Sequence, residues 1–139
     1  MNQKDLRLGN LVNDHLGRTL QVTGLKDDNV YLALSNGEKI RYNIKTIQPI
    51  FITKEWLKSF GFKNANSSAY DKNDFHWIYE IKYGDYHTCE LSVASVKSKK
   101  IENQIYVGEG APIPYDIFYV HQIQNLYYIT SGKELTIKD

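Results

Sequence analysis

The sequence holds one cysteine, Cys89, in 139 residues, so no disulfide can close within the chain. A lone thiol suits a reducing compartment. A bias of charge is missing too. There are 17 Lys and Arg against 16 Asp and Glu, a formal net charge of +1. Residues 1–50 carry +2 and residues 51–139 carry −1, so neither half stands out. Balance of this kind excludes a bulk electrostatic pull toward nucleic acid or an anionic membrane surface. No apolar run is long enough to span a bilayer. The opening Met1-Asn2-Gln3-Lys4-Asp5 has no apolar stretch behind it, so no signal peptide is expected. The expected location is cytoplasmic.

Chemical signatures are absent as well. There is no Gly-x-Ser-x-Gly and no glycine-rich phosphate loop. Gly108 and Gly110 precede prolines and not a helix, so they fail the context a phosphate loop needs. No Cys-x-x-Cys or His-x-x-x-His pair is present. The carboxylates Asp71, Asp74, Asp85, Glu90 and Glu109 are scattered over turns and strands. No cofactor, metal or catalytic residue is assigned on this basis. There is no internal repeat and no low-complexity segment.

What is present is an ordinary globular composition, 42% hydrophobic and 24% charged, with an unusual stock of tyrosine: eleven, beside five Phe and two Trp. Tyrosine favours strands and half-buried surfaces, and it is common where proteins bind one another. The length suits one domain or two small units sharing a core.

Residues 1–50 read as short strands with turn punctuation: Leu11–Asn13, Thr19–Leu25, Val30–Leu34 and Glu38–Ile44. Asp27-Asp28-Asn29 is a turn cluster. Asn36-Gly37 is a strong hairpin signal, predicting a two-residue type I′ turn with positive φ at both positions. Four or five short strands in this space predict a small SH3-like β-barrel over residues 1–50.

Residues 51–139 predict an α+β unit, packed with the first as one body. Thr53 is placed to cap a helix over 53–60, with Trp56, Leu57 and Phe60 on its apolar stripe and Gly61 at its end. Residues 63–74 are polar and predict an exposed loop. A three-stranded antiparallel meander follows over 75–83, 86–96 and 101–107, with Phe75, Trp77, Tyr79 and Tyr83 sharing a face. Residues 119–130 predict a helix that covers this sheet, ended by Gly132. The fold class is thus α+β, a barrel followed by an antiparallel sheet under a C-terminal helix.

Three segments carry a resemblance. They are Leu6-Arg7-Leu8-Gly9-Asn10-Leu11-Val12, Ile52-Thr53-Lys54-Glu55-Trp56-Leu57-Lys58-Ser59-Phe60-Gly61-Phe62, and Tyr119-Val120-His121-Gln122-Ile123-Gln124-Asn125-Leu126-Tyr127-Tyr128 with Ser131-Gly132-Lys133-Glu134-Leu135. In this order they resemble a family of small proteins of gut-type Gram-negative bacteria and their prophages, for which no activity is assigned. Phe51-Ile52-Thr53 departs from the family's usual proline before Leu-Thr. The family often has Ala and Leu near Ile129 and Thr130, a second departure. The resemblance implies a bacterial or phage protein and carries over no catalytic role.

Candidate functional residues follow from chemistry. His121, Gln122, Gln124 and Asn125 form a polar flank on the C-terminal helix, able to bind a partner protein; the competing reading is that His121 or Asn125 caps a loop or anchors the helix on the sheet through a buried hydrogen bond. Arg18 and Arg41 in the barrel, with Lys97, Lys99 and Lys100 in a basic turn, are the candidates for contact with nucleic acid. Tyr31 and Tyr42 are candidate exposed contacts beside them. His87 and Cys89 point the same way on one strand, but Leu91 and Val93 share that face, which favours a core. A small enzyme or ligand-binding protein centred on His121, His87 and Cys89 is the third reading. The aromatic face of Phe75, Trp77, Tyr79 and Tyr83 would suit base stacking, yet a sheet under one helix must bury a face, and this is the most apolar one. A protein-binding module, with a protein partner and no membrane association, is the leading expectation, and nucleic-acid binding is the alternative.

Overall fold

The computed structural model describes residues 1–64, 75–83, 87–96, 101–107 and 117–138. The protein is α+β; the described residues form two four-stranded antiparallel sheets and a C-terminal helix. The chain divides into two compact units, Met1–Phe51 with Tyr119–Leu126, and Ile52–Phe118 with Tyr127–Asp139.

In the first unit, β1 (Leu11–Asn13), β2 (Thr19–Lys26), β3 (Asn29–Ala33) and β4 (Lys39–Asn43) pair in sequence order. Alternation sends Leu20, Val22, Val30 and Leu32 inward, where they meet Leu6, Val12, Ile44 and Ile47. The β2–β3 turn is the tight one, with Lys26 opposite Asn29 and Asp27 at φ +52°. Aspartate tolerates that left-handed conformation better than most residues.

The β3–β4 turn differs from the type I′ expectation. Gly37 has φ +84° and Asn36 does not share the positive sign. Gly37 N–H donates to Leu34 O at 2.9 Å, and Leu34 N–H donates to Glu38 O at 2.7 Å. The loop is therefore the three residues Ser35, Asn36 and Gly37, with the glycine taking the left-handed position. Asn36 uses its side chain instead, accepting the Glu38 N–H at 2.9 Å.

After β4 a 3-10 turn over Ile44–Thr46 brings the chain back toward β1. Asn13 and Gln48 exchange two backbone hydrogen bonds, both 2.9 Å. Among the described residues no strand pair closes the sheet into a barrel.

In the second unit, α1 (Lys54–Ser59) opens on Thr53, whose hydroxyl accepts the Trp56 N–H at 3.4 Å. Leu57, Phe60 and Phe62 are buried. Gly61 follows at φ +92°, ending the helix as its position predicts. The sheet is β5 (Lys63–Asn64), β6 (Phe75–Tyr83), β7 (His87–Val96) and β8 (Ile101–Val107), again in sequence order. The predicted meander thus gains a fourth strand, because the predicted loop over 63–74 begins with β5. Residues 65–74 lie outside the described residues. Ile81, Leu91 and Val93 form the buried face, and the Tyr79 ring packs on Phe62 and edge-on against Tyr127.

The C-terminal helix α2 runs Val120–Ser131. The sequence expectation gave the whole helix to the second sheet. Its residues up to Leu126 belong to the first unit, and Tyr127 onward to the second. Gly132, at φ +70°, ends it. The last segment forms no strand over Glu134–Ile137; it packs down through Leu135.

Candidate functional site

The polar flank of α2 is the most elaborate hydrogen-bonded feature of the first unit. Gln124 is 2% exposed. Its Oε1 accepts the Leu11 N–H at 2.8 Å and its Nε2 donates to Gly9 O at 3.4 Å. Asn125 accepts from Asn10 Nδ2 at 2.9 Å and donates to Asp5 O at 2.8 Å. Asn10 is itself buried and accepts the Arg7 N–H at 2.7 Å. The two amides satisfy backbone groups of Asp5, Gly9 and Leu11, on the stretch that leads into and opens β1. Gln122 acts closer to home. Its Oε1 accepts the Tyr119 N–H at 3.0 Å, capping the first turn of α2.

His121 is 2% exposed and its ring stacks on Tyr119, centroids 5.7 Å apart. Its Nδ1 is buried with no hydrogen-bond partner. Burial pushes the imidazole down to about 4, against the opposing pull of the Asp5 carboxylate and with a small push from the N-terminal charge. The ring is therefore neutral near pH 7. Neither His121 nor Gln124 presents its side chain at the surface.

Arg18 and Arg41 stand in different settings. Asp14 is buried and accepts from the Leu16 and Arg18 N–H groups, both at 2.9 Å. Arg18 Nε and Nη2 reach its other oxygen at 2.8 and 2.7 Å, a forked pair, and Tyr42 OH joins at 3.4 Å. Burial alone would raise the Asp14 carboxyl, but the hydrogen bonds from Arg18 and Leu16 outweigh it and hold it below its usual value. The Arg18 charge is thus matched within the β1–β2 turn. Arg41 is exposed on β4. Lys97, Lys99 and Lys100 lie outside the described residues. A cavity of about 480 Å³ opens beside Arg18, lined also by Leu11, Thr19, Gln21 and Ser35.

Of the third set of candidates, Cys89 is half-buried with its Sγ 3.8 Å from Glu90 O. The side chain of His87 lies outside the described residues. Among the described residues no three His, Cys, Asp or Glu side chains gather as metal ligands.

A feature the sequence did not reveal lies in the second unit. β7 pairs with β6 along its full length, from Phe75 to Tyr83. On the other edge, β5 pairs only with Trp77 and Ile78. Beyond Ile78 no strand among the described residues covers that edge. Two depressions flank the open stretch. One, about 360 Å³, is lined by Gly61, Lys63, Ile78, Glu80, Glu90, Lys82 and Lys138, with Tyr79. The other, about 190 Å³, is lined by Tyr79, Ile81, Tyr127, Ser131 and Lys133, with Glu80 and Lys82. Lys138 Nζ donates to Tyr79 OH at 2.9 Å. Burial raises the Tyr79 phenol, but hydrogen bonds with Lys138 and Tyr127, and the charges of Lys138 and Lys133, bring it below its ordinary value. The signal that could have found this edge is the Lys63-Asn64 pair, too short to read as a strand by periodicity.

Comparison with protein-family models, curated proteins and solved structures returns no match. Among the described residues no helix is long and apolar enough to cross a membrane.

Proposed function

We propose that this is a non-enzymatic protein-interaction module of bacterial or phage origin, working in the cytoplasm. The observation that carries the reading is the stretch of β6 from Tyr79 to Lys82, which no strand among the described residues covers on that edge and which two depressions flank. Unpaired ladder groups on a sheet edge are a template for another chain unless something protects them. Exposed apolar residues of the same unit, Ile129 and Ile137, add to the stock of contact surface.

The first unit is proposed to be an SH3-like barrel. The reciprocal Asn13–Gln48 bonds support this, because they return the chain after β4 to β1, the step that closing a barrel requires. The test of function is affinity co-purification of the tagged chain from a bacterial host, with and without nuclease. A protein partner that survives nuclease at fixed stoichiometry is the expected result. Retention of nucleic acid alone, or loss of every partner on nuclease treatment, would replace this reading with nucleic-acid binding.

A further inference from the structure

We propose that the open edge of β6 takes an extended, acidic peptide segment, which adds to the second sheet as a further strand beside Tyr79–Lys82. This rests on the interaction-module reading and names the partner's chemistry. Three observations converge on it.

The first is the ladder itself. Strand β6 continues past the start of β5 at Lys63, so Glu80, Ile81 and Lys82 keep one ladder with β7 and none on the opposite edge among the described residues. A peptide strand there gains main-chain hydrogen bonds regardless of its sequence.

The second is the placement of the two depressions. Ile78, Glu80 and Lys82 share one face of β6, and their cross-strand neighbours Lys63 and Glu90 lie on that face with them. Tyr79 and Ile81 point to the other face, toward Tyr127 and Lys133 in the second depression, which Glu80 and Lys82 also border along the strand edge. An added strand sends alternate side chains to opposite faces. Its successive residues would therefore enter the two depressions in turn.

The third is charge. Four lysines, Lys63, Lys82, Lys133 and Lys138, border the edge against two glutamates, Glu80 and Glu90. Glu80 lies 3.9 Å from Lys82 and offsets part of that charge. Among the described lining residues the balance is four lysines less two glutamates, or +2, although the whole chain is nearly neutral. Lysines beside an edge repel a basic or identical strand and favour an acidic one. Lys138 is held at the edge by the Tyr79 hydroxyl, so one charge is already in position.

The test uses the full chain and a fluorescein-labelled octapeptide of alternating Glu and Val, read by fluorescence anisotropy at low salt. A Lys-Val octapeptide and a Glu-Pro octapeptide are the comparators, the latter because proline has no N–H to donate. The Glu-Val probe is expected to bind, and both comparators to fail. Hydrogen exchange is expected to slow, when the probe is bound, at those amides between Tyr79 and Lys82 that point away from β7. The Lys63→Glu, Lys133→Glu variant, both sites being exposed, is expected to weaken binding about tenfold or more while keeping its circular dichroism spectrum. Equal binding of the Glu-Pro probe would overturn strand addition in favour of charge attraction alone. Equal binding of the Lys-Val probe would overturn the acidic preference. A chain dimer that masks the same amides would overturn the peptide in favour of a second copy. Absence of Glu-Val binding, with a nuclease-resistant partner still co-purifying, would overturn the edge site and leave the interaction module standing; absence of both would remove the module as well.

Discussion

Gln124 gives the sharpest test of how the first unit is held together. Replacing it with methionine keeps most of the stem volume and removes both hydrogen-bonding groups. The Leu11 N–H then loses the acceptor that now stands 2.8 Å away. Leaving a part-buried donor unsatisfied costs about 1–2 kcal/mol. The longer bond to Gly9 O, at 3.4 Å, adds about 0.5 kcal/mol. The expected loss is about 2 kcal/mol. For a chain of 139 residues, an unfolding entropy of roughly 2.1 cal/mol/K per residue converts each kcal/mol into about 3–4 °C. Gln124→Met is therefore expected to lower Tm by about 7 °C. Gln48→Met is the control, since that side chain is exposed, and its effect should stay within about 0.5 kcal/mol. Differential scanning calorimetry of the two variants beside the parent measures both. If Gln124→Met melts with the control, the amide is not what satisfies the chain before β1, and the argument from buried donors fails.

Stability should fall in acid through His121. Its folded value near 4 lies below the ordinary 6.5. Between these values the unfolded chain binds a proton that the folded ring refuses, so the contribution is full above pH 6.5 and is lost as pH falls toward 4. The drop is worth about 3 kcal/mol at roughly 1.4 kcal/mol per pH unit. Urea titrations across this window should show a shallower pH dependence for His121→Phe, and parallel curves would refute it. Gly61→Ala should cost about 1–2 kcal/mol, because an L-residue at φ +92° is strained. Its new Cβ would also meet Lys138 Cδ at 2.8 Å, though that flexible side chain can move aside. A chemical-denaturation midpoint equal to the parent's would contradict this. Asp14→Ala removes the acceptor of two backbone N–H groups and of the Arg18 guanidinium. Hydrogen exchange at the Leu16 and Arg18 amides should then quicken by about tenfold or more. Unchanged rates would show the turn holds without its carboxylate.

Much of the local structure was legible because it depends on near neighbours. Thr53 and Gly61 bracket α1 as cap and stop, and Gly132 ends α2, since these are requirements of single backbone positions. Alternation over residues 75–83 gave β6 with its bounds, as period-2 patterning reports a half-buried strand directly. The Asn36-Gly37 signal located a hairpin but not its turn type. That was settled by a hydrogen bond from Glu38 to the Asn36 side chain, one of several ways the dipeptide can be satisfied.

The sequence by itself determined the elements, the sheet alternation, the lack of a disulfide and the near-neutral charge, because these depend on residue identity and short spacing. Tertiary structure decided what the polar residues do. Gln124 reaches Leu11 across more than a hundred residues, and no local pattern can announce a bond of that separation. The pairing of Lys63-Asn64 with β6 is nearer in sequence, but two residues are too few to show a period. Where β5 begins is a matter of its register with β6, and the open edge, its two depressions and its lysines exist only once that register is set.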